Sequence, residues 1–130
     1  MIAGDEVPRP PLVPVLCWST GAHAISILQV FILPAIAPAM AQGLGVPESM
    51  VGAQVMIVYL SATFASLFAG SLVVRLGAVR ATQLSIATGA VALAVSAIPS
   101  VYVVAAASVA LGLSYGLINP ASGQMLEAAL

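Results

Sequence analysis

The polar side chains most able to do chemistry lie inside long uncharged stretches of this sequence. Near the N-terminus these positions are Ser19, His23 and Ser26, with Gln29 at the edge of the same helical face. At membrane depth an ionisable side chain is costly and usually faces a cavity or a partner. We therefore predict that His23 contacts a substrate or a proton. The alternative is a neutral imidazole bonded to a neighbouring helix.

A second polar face lies near the C-terminus. Spacings of three and four residues place small or polar residues on one side of a helix there, namely Ser108, Gly112, Tyr115, Asn119 and Ser122. We expect Tyr115 and Asn119 to line a substrate cavity, although Asn119 could instead bond backbone freed by Pro120, and helix packing could explain the whole face. Gly112 and Gly116 form a G-x-x-x-G pair, which permits close helix approach.

The usual signatures of enzymes are missing from this sequence. It has no phosphate-cradling Gly-Lys loop, no His or Cys cluster at metal spacing and no carboxylate pair within a candidate membrane span. The single cysteine, Cys17, cannot form an intrachain disulfide. We therefore expect no catalysis, no cofactor and no metal. The net charge of −1 points to no nucleic-acid partner.

The elements that carry these side chains must cross a membrane. Hydrophobic residues make up 62% of the 130 residues and charged residues 5%, with a mean hydropathy of +1.16. No charge occurs in residues 10–47, 49–74 or 81–126. A spanning helix needs roughly 20 apolar residues, so the first two stretches each hold one span and the third holds two. The sequence thus predicts an all-α integral membrane protein with four transmembrane helices and lipid as a partner.

The boundaries of the four spans follow from prolines, glycines and charges. A tail over residues 1–11 precedes a transmembrane domain over 12–130, with spans at about 12–36, 50–74, 79–98 and 101–121. Pro34 and Pro38 are expected to end the first span. Pro99 and Ser100 form a hairpin, and the fourth span is expected to kink or end near Pro120.

The arginines predict the orientation of the chain. Arg9 precedes span one, and Arg75 and Arg80 follow span two, so two crossings put all three on one face and Glu48 on the other. The positive-inside rule makes that face, and the N-terminus, cytoplasmic in a multi-pass protein of the cell membrane. A cleavable signal peptide is disfavoured because acidic residues stand where a signal peptide has a basic lead.

The connector after span two resembles the signature loop of the major facilitator superfamily. In the segment GSLVVRLGAVR, four residues match the pattern Gly-x-Leu-x-Asp-Arg-x-Gly, namely Gly70, Leu72, Arg75 and Gly77. Val74 stands at the acidic position, and Arg80 lies one residue beyond the usual basic pair. The resemblance implies that this connector is a gating loop, although the departure at Val74 changes the charges that would hold it.

The fourth span strengthens the resemblance. The segment ALGLSYGLINPAS is similar to the glycine-rich fourth span of the superfamily, with Ser108 where an Arg is usual. The superfamily fold has twelve spans in two halves of inverted three-helix repeats, with substrate at the midplane between the halves. The resemblance therefore implies that this chain supplies four of the twelve helices, an incomplete N-terminal half. Spans one and four would line the cavity, and span three would lie outside.

Three functions remain open from the sequence. The first is a fragment of a secondary transporter that moves a small solute by alternating access, is inactive alone and pairs with the remaining transporter helices or another membrane chain. The second is a complete four-helix exporter that acts as a dimer. The third is a non-transporting membrane subunit that packs against a partner through its Gly and Ala faces.

The charge pattern makes a prediction about topology. Tags at the N-terminus and beside Arg75 should lie in the cytoplasm, and a tag beside Glu48 should lie outside, because the arginines stay on the cytoplasmic face. Accessibility of cysteines introduced at these sites to an impermeant thiol reagent checks this. Labelling of the Arg75 and Glu48 sites from the same side would contradict it.

Overall fold

The computed structural model describes residues 11–130, which form four α-helices joined by short turns. Helix α1 spans Leu12–Leu44, α2 spans Ser49–Leu76, α3 spans Ala78–Val95 and α4 spans Val101–Ala129. Each is long and apolar enough to cross a membrane, and the described residues contain no strand. The predicted all-α membrane fold with four spanning helices is confirmed. Residues 1–10 of the predicted N-terminal tail lie outside the described residues.

Helix α1 continues beyond the prolines that were expected to end it. Pro34 and Pro38 lie inside the helix, which reaches Leu44, so the prediction of an end near residue 36 is wrong for the helix. Each proline removes one N–H donor but leaves the other turns intact, and spanning helices tolerate this. The helix ends at Gly45, whose φ of 66° is left-handed, a conformation that glycine adopts without steric cost.

The later helix ends also differ from the predicted spans. Helix α3 ends at Val95, three residues before the expected position, and the hydroxyl of Ser96 donates to the carbonyl of Leu93 at 2.7 Å. Helix α4 continues through Pro120 to Ala129, so the prediction of an end near this proline is wrong, whereas that of a kink stays a prediction. Two residues beyond Pro120, Ser122 Oγ donates to the carbonyl of Ile118 at 2.7 Å.

Helix α4 is the centre of the bundle because each of the other three helices packs more extensively on α4 than on any other helix, and α2 does so most of all. The α2–α4 contact depends on two glycines. A methyl group added at Gly112 would collide with the carbonyl oxygen of Val58, and one at Gly116 would lie 2.6 Å from that of Ala62. The close approach predicted from the G-x-x-x-G pair is therefore confirmed, with α2 as the partner helix.

Hydrogen bonds tie α3 to α4 and to α1. The hydroxyl of Ser85 donates to the carbonyl of Ser114 at 2.6 Å, and the hydroxyl of Ser114 donates to the carbonyl of Ser85 at 2.6 Å. Gln29 of α1 donates from Nε2 to the carbonyl of Ile86 at 3.2 Å. Gly89 leaves the space that the Gln29 side chain occupies. The hydroxyls of Ser85 and Ser114 and Nε2 of Gln29 thus have partners within the bundle, as a membrane interior requires, whereas Oε1 of Gln29 has none among residues 11–130.

The outward faces of the helices carry the large apolar side chains. Leu67 is 72% exposed and Phe68 is 70% exposed, whereas the core residues are mostly Ala, Ser, Gly and Val. Between lipid-facing helices there is little hydrophobic driving force, so small residues that allow dense backbone packing form the contacts. The bundle therefore presents a lipid-compatible surface around a core of small residues.

The glycine contact predicts a difference between two substitutions in one helix. Gly112→Ala should destabilise the bundle by about 1–3 kcal/mol, because the new methyl meets the Val58 backbone and something must move. Gly123→Ala should not, because no atom lies within 4 Å of a methyl there. Thermal unfolding of the two variants in detergent micelles checks this. Equal melting temperatures would show that α4 does not pack on α2 through Gly112.

Candidate functional site

The polar faces of α1 and α4 meet at one hydrogen bond. Nδ1 of His23 lies 3.3 Å from Oγ of Ser122, and the imidazole is half-buried. The hydroxyl of Ser122 also donates to the carbonyl of Ile118, and a hydroxyl has a single proton to give. With the Ser122 proton on the carbonyl of Ile118, a neutral His23 would donate from Nδ1 and keep Nε2 as an acceptor.

An open recess surrounds this pair. It has a volume of about 360 Å³ and is lined by Ser19, Thr20, His23, Ala24, Ile27 and Ser122. The hydroxyl of Ser19 donates to the carbonyl of Leu16 at 3.2 Å, so its oxygen retains lone pairs toward the recess. The recess thus offers an imidazole and hydroxyls beside apolar walls, a set that can bind a small polar solute or hold a proton.

The structure brings together only some of the predicted cavity residues. Ser19 and His23 line the recess, whereas Ser26 is only 1% exposed and its hydroxyl has no hydrogen-bond partner among residues 11–130. Tyr115 is half-buried and Asn119 is exposed, and neither lines the recess. The side chain of Asn119 makes no hydrogen bond to the described residues, and its backbone carbonyl oxygen lies 3.1 Å from Oγ of Ser122, as the longer of two contacts that compete for the one hydroxyl proton. The alternative that its amide caps backbone freed by Pro120 is therefore not met.

Sequence reasoning underrated two members of the recess. Ser122 was placed on the polar face of the fourth span, but its pairing with His23 spans 99 positions and leaves no local signal. Thr20 was missed because the polar face was defined by residues three and four apart, and Thr20, directly after Ser19, does not fall in that spacing. The contact between two distant helices decides both roles.

The connector between α2 and α3 is a single-residue turn. Gly77 has φ 83° and ψ 148°, and its N–H donates to the carbonyl of Val73 at 2.8 Å. Val73 is fully buried against Ala81 and Ala121, so the connector is anchored on α4. Val74, at the position where the signature has an acid, is 72% exposed.

The other signature residues lie on either side of this turn and are less buried than Val73. Leu72 is half-buried, and the exposed members are Gly70, Arg75 and Arg80. Arg80 lines an open groove with Trp18 and Gln124, where the start of α1 approaches the end of α4. Both arginines of the connector therefore lie at the end of the bundle where α1 begins.

Comparison with known protein families tests whether the resemblance to the superfamily reflects membership. The sequence model of the Major Facilitator Superfamily matches residues 20–130, which include most of α1 and all of α2, α3 and α4. The chain belongs to the major facilitator superfamily. Members of this superfamily are membrane transporters. No curated protein and no solved structure gave a significant match to the chain.

The backbone geometry shows why two glycines of the superfamily signature differ in what they do for the fold. Gly77 adopts a backbone conformation that is nearly exclusive to glycine, and the turn lets α3 begin one residue after α2 ends. Gly70, by contrast, lies in helical backbone with no atom within 4 Å of an added methyl. The two glycines of this major facilitator chain thus face different constraints.

This contrast gives a prediction within the signature itself. Gly77→Ala should destabilise the fold by about 1–3 kcal/mol, because a side chain is strained at this φ and ψ. Gly70→Ala should leave stability unchanged or slightly raised, since it adds only helix propensity. Denaturant or thermal unfolding in micelles compares the two variants. Equal stability of both would mean that the turn does not require glycine.

Proposed function

We propose that this chain forms part of a secondary transporter that moves a small solute by alternating access. The observation that carries the proposal is the His23–Ser122 contact, which joins α1 and α4 at a half-buried recess. Those are the two helices that line the cavity in the superfamily fold, and ionisable side chains at membrane depth commonly mark a transport path.

The division of polar groups supports this role. Gln29, Ser85 and Ser114 are buried and bonded to neighbouring helices, so they hold the bundle together. His23 and Ser122 remain partly exposed beside an opening. A group that serves only packing would gain from full burial with all partners satisfied. Partial exposure of a bonded pair suits a site that exchanges partners with a solute.

The recess is one wall of the proposed path. In the superfamily fold the substrate lies between two six-helix halves, so helices of the other half, or another membrane chain, would supply the facing wall. We infer that these 130 residues correspond to four of the twelve helices and are inactive alone. The proposed orientation has the N-terminus and the Arg75 connector in the cytoplasm of a cell-membrane protein, with the turn at Gly45 outside.

The recess predicts which polar side chains matter for transport. In the protein encoded by the complete reading frame, His23→Ala and Ser122→Ala should each lower the transport rate at least about tenfold, because each removes a polar contact of the path. Thr63→Ala is the matched control, since Thr63 is exposed on α2 and, within residues 11–130, its hydroxyl bonds only the carbonyl of Tyr59. Uptake into liposomes, normalised to the folded protein, gives the comparison.

Two results would contradict the proposal. One is a loss of folded protein for His23→Ala that equals the loss of transport, which would make the contact purely structural. The other is saturable uptake by liposomes that contain only the 130-residue chain, which would favour a complete four-helix exporter.

A further inference from the structure

A partly enclosed apolar cavity lies at the end of the bundle opposite the signature connector. Its volume is about 90 Å³, and its walls come from the last turns of α1, the following turn, the first half of α2 and the start of α4. The side chains of Met40 and Met50 form part of the wall. The recess around His23 shares no lining residue with this cavity. Along α1, 14 residues separate Ala37 of the cavity from His23, or roughly 20 Å.

One polar side chain lines this cavity, and it lacks a partner. Gln54 is 8% exposed, and its Nε2 has no hydrogen-bond partner among residues 11–130. Every other lining residue has an apolar side chain. The amide of Gln29, by comparison, donates to a carbonyl of a neighbouring helix. Burial of an unpaired amide is costly in an apolar medium, so a ligand in the cavity that accepts a hydrogen bond from Nε2 of Gln54 would remove that cost.

We propose that this cavity binds a small neutral alcohol, with its hydrocarbon part against the methionines and its hydroxyl on the Gln54 amide. A hydroxyl both donates and accepts, so it can pair with either end of the carboxamide. No charged residue lines the cavity to balance an ion. An apolar cavity of about 150 Å³ holds benzene with six heavy atoms, so about 90 Å³ suits a molecule of roughly four.

Water is a weaker occupant than an alcohol for this cavity. An ordered buried water usually needs two to four polar partners, and the side chains here offer one amide. An alkane of the same size would fill the volume but leave the amide unpaired. Of these three occupants, the alcohol satisfies both the apolar wall and the amide. This site is independent of the proposed transport path, since it uses different residues at the other end of the bundle.

Methionine methyl groups provide a direct probe of this binding. The chain has five methionines, of which Met40 and Met50 line the cavity, whereas Met56 and Met125 do not. The complete protein, labelled with ¹³C at its methionine methyls and held in phospholipid nanodiscs, would be titrated with 2-propanol. The Met40 and Met50 signals should shift saturably while those of Met56 and Met125 stay fixed. 2-Methylpropane, in which a methyl replaces the hydroxyl, is the matched ligand control.

Replacing the Gln54 amide distinguishes binding of the alcohol at this site from its nonspecific partitioning into lipid. Gln54→Leu keeps a similar side-chain volume and should weaken 2-propanol binding about fivefold to tenfold, while 2-methylpropane binds no more weakly than before. Ala105→Leu should fill the cavity and weaken both ligands, and it retains Gln54 if Gln54→Leu fails to fold. Shifts that grow linearly at every methionine, or equal 2-propanol affinity in Gln54→Leu, would overturn the proposal. Water alone or a lipid chain in the cavity, with no saturable solute, would overturn it too.

Discussion

The absence of water in the bilayer core is the constraint on which this structure depends. Backbone groups that cannot bond to water must bond within the chain, so each apolar stretch becomes a helix. The same constraint removes most of the hydrophobic gain of packing one helix on another, and close contact between small residues takes its place. The backbone contacts of Gly112 and Gly116 with α2 follow from this, as does the central position of α4.

Polar side chains in such a bundle divide into two groups by their partners. The reciprocal bonds of Ser85 and Ser114 satisfy both hydroxyls with backbone carbonyls and fix α3 against α4. The bond between His23 and Ser122 leaves a ring nitrogen available at an open recess. The Ser85–Ser114 pair has no free hydroxyl proton to offer a solute, whereas the His23–Ser122 pair keeps a hydrogen-bonding atom at an opening that a solute can reach. Membership of the major facilitator superfamily makes transport the natural use of that capacity.

The sequence predicted the helices better than their contacts. The three uncharged stretches determined the number of helices, because a charge in lipid is costly and the length of a span is limited by the bilayer. The helix ends predicted at Pro34 and Pro120 were wrong, because the loss of one N–H donor does not by itself end a helix in a membrane. Periodicity found the face that carries His23, but the pairing with Ser122 and the unpaired amide of Gln54 depend on which helices adjoin, and local spacing does not encode that.

The central claim is that the α1–α4 recess faces an aqueous path, and thiol accessibility tests it most directly. In a Cys17→Ser background of the complete protein, single cysteines would replace His23, Ser122 and Phe64, and a charged, membrane-impermeant thiol reagent would be added to each. Phe64 is 58% exposed on α2 and serves as the lipid-facing control. The account predicts fast modification of His23→Cys and Ser122→Cys and none of Phe64→Cys. Equally slow modification at all three positions would contradict it.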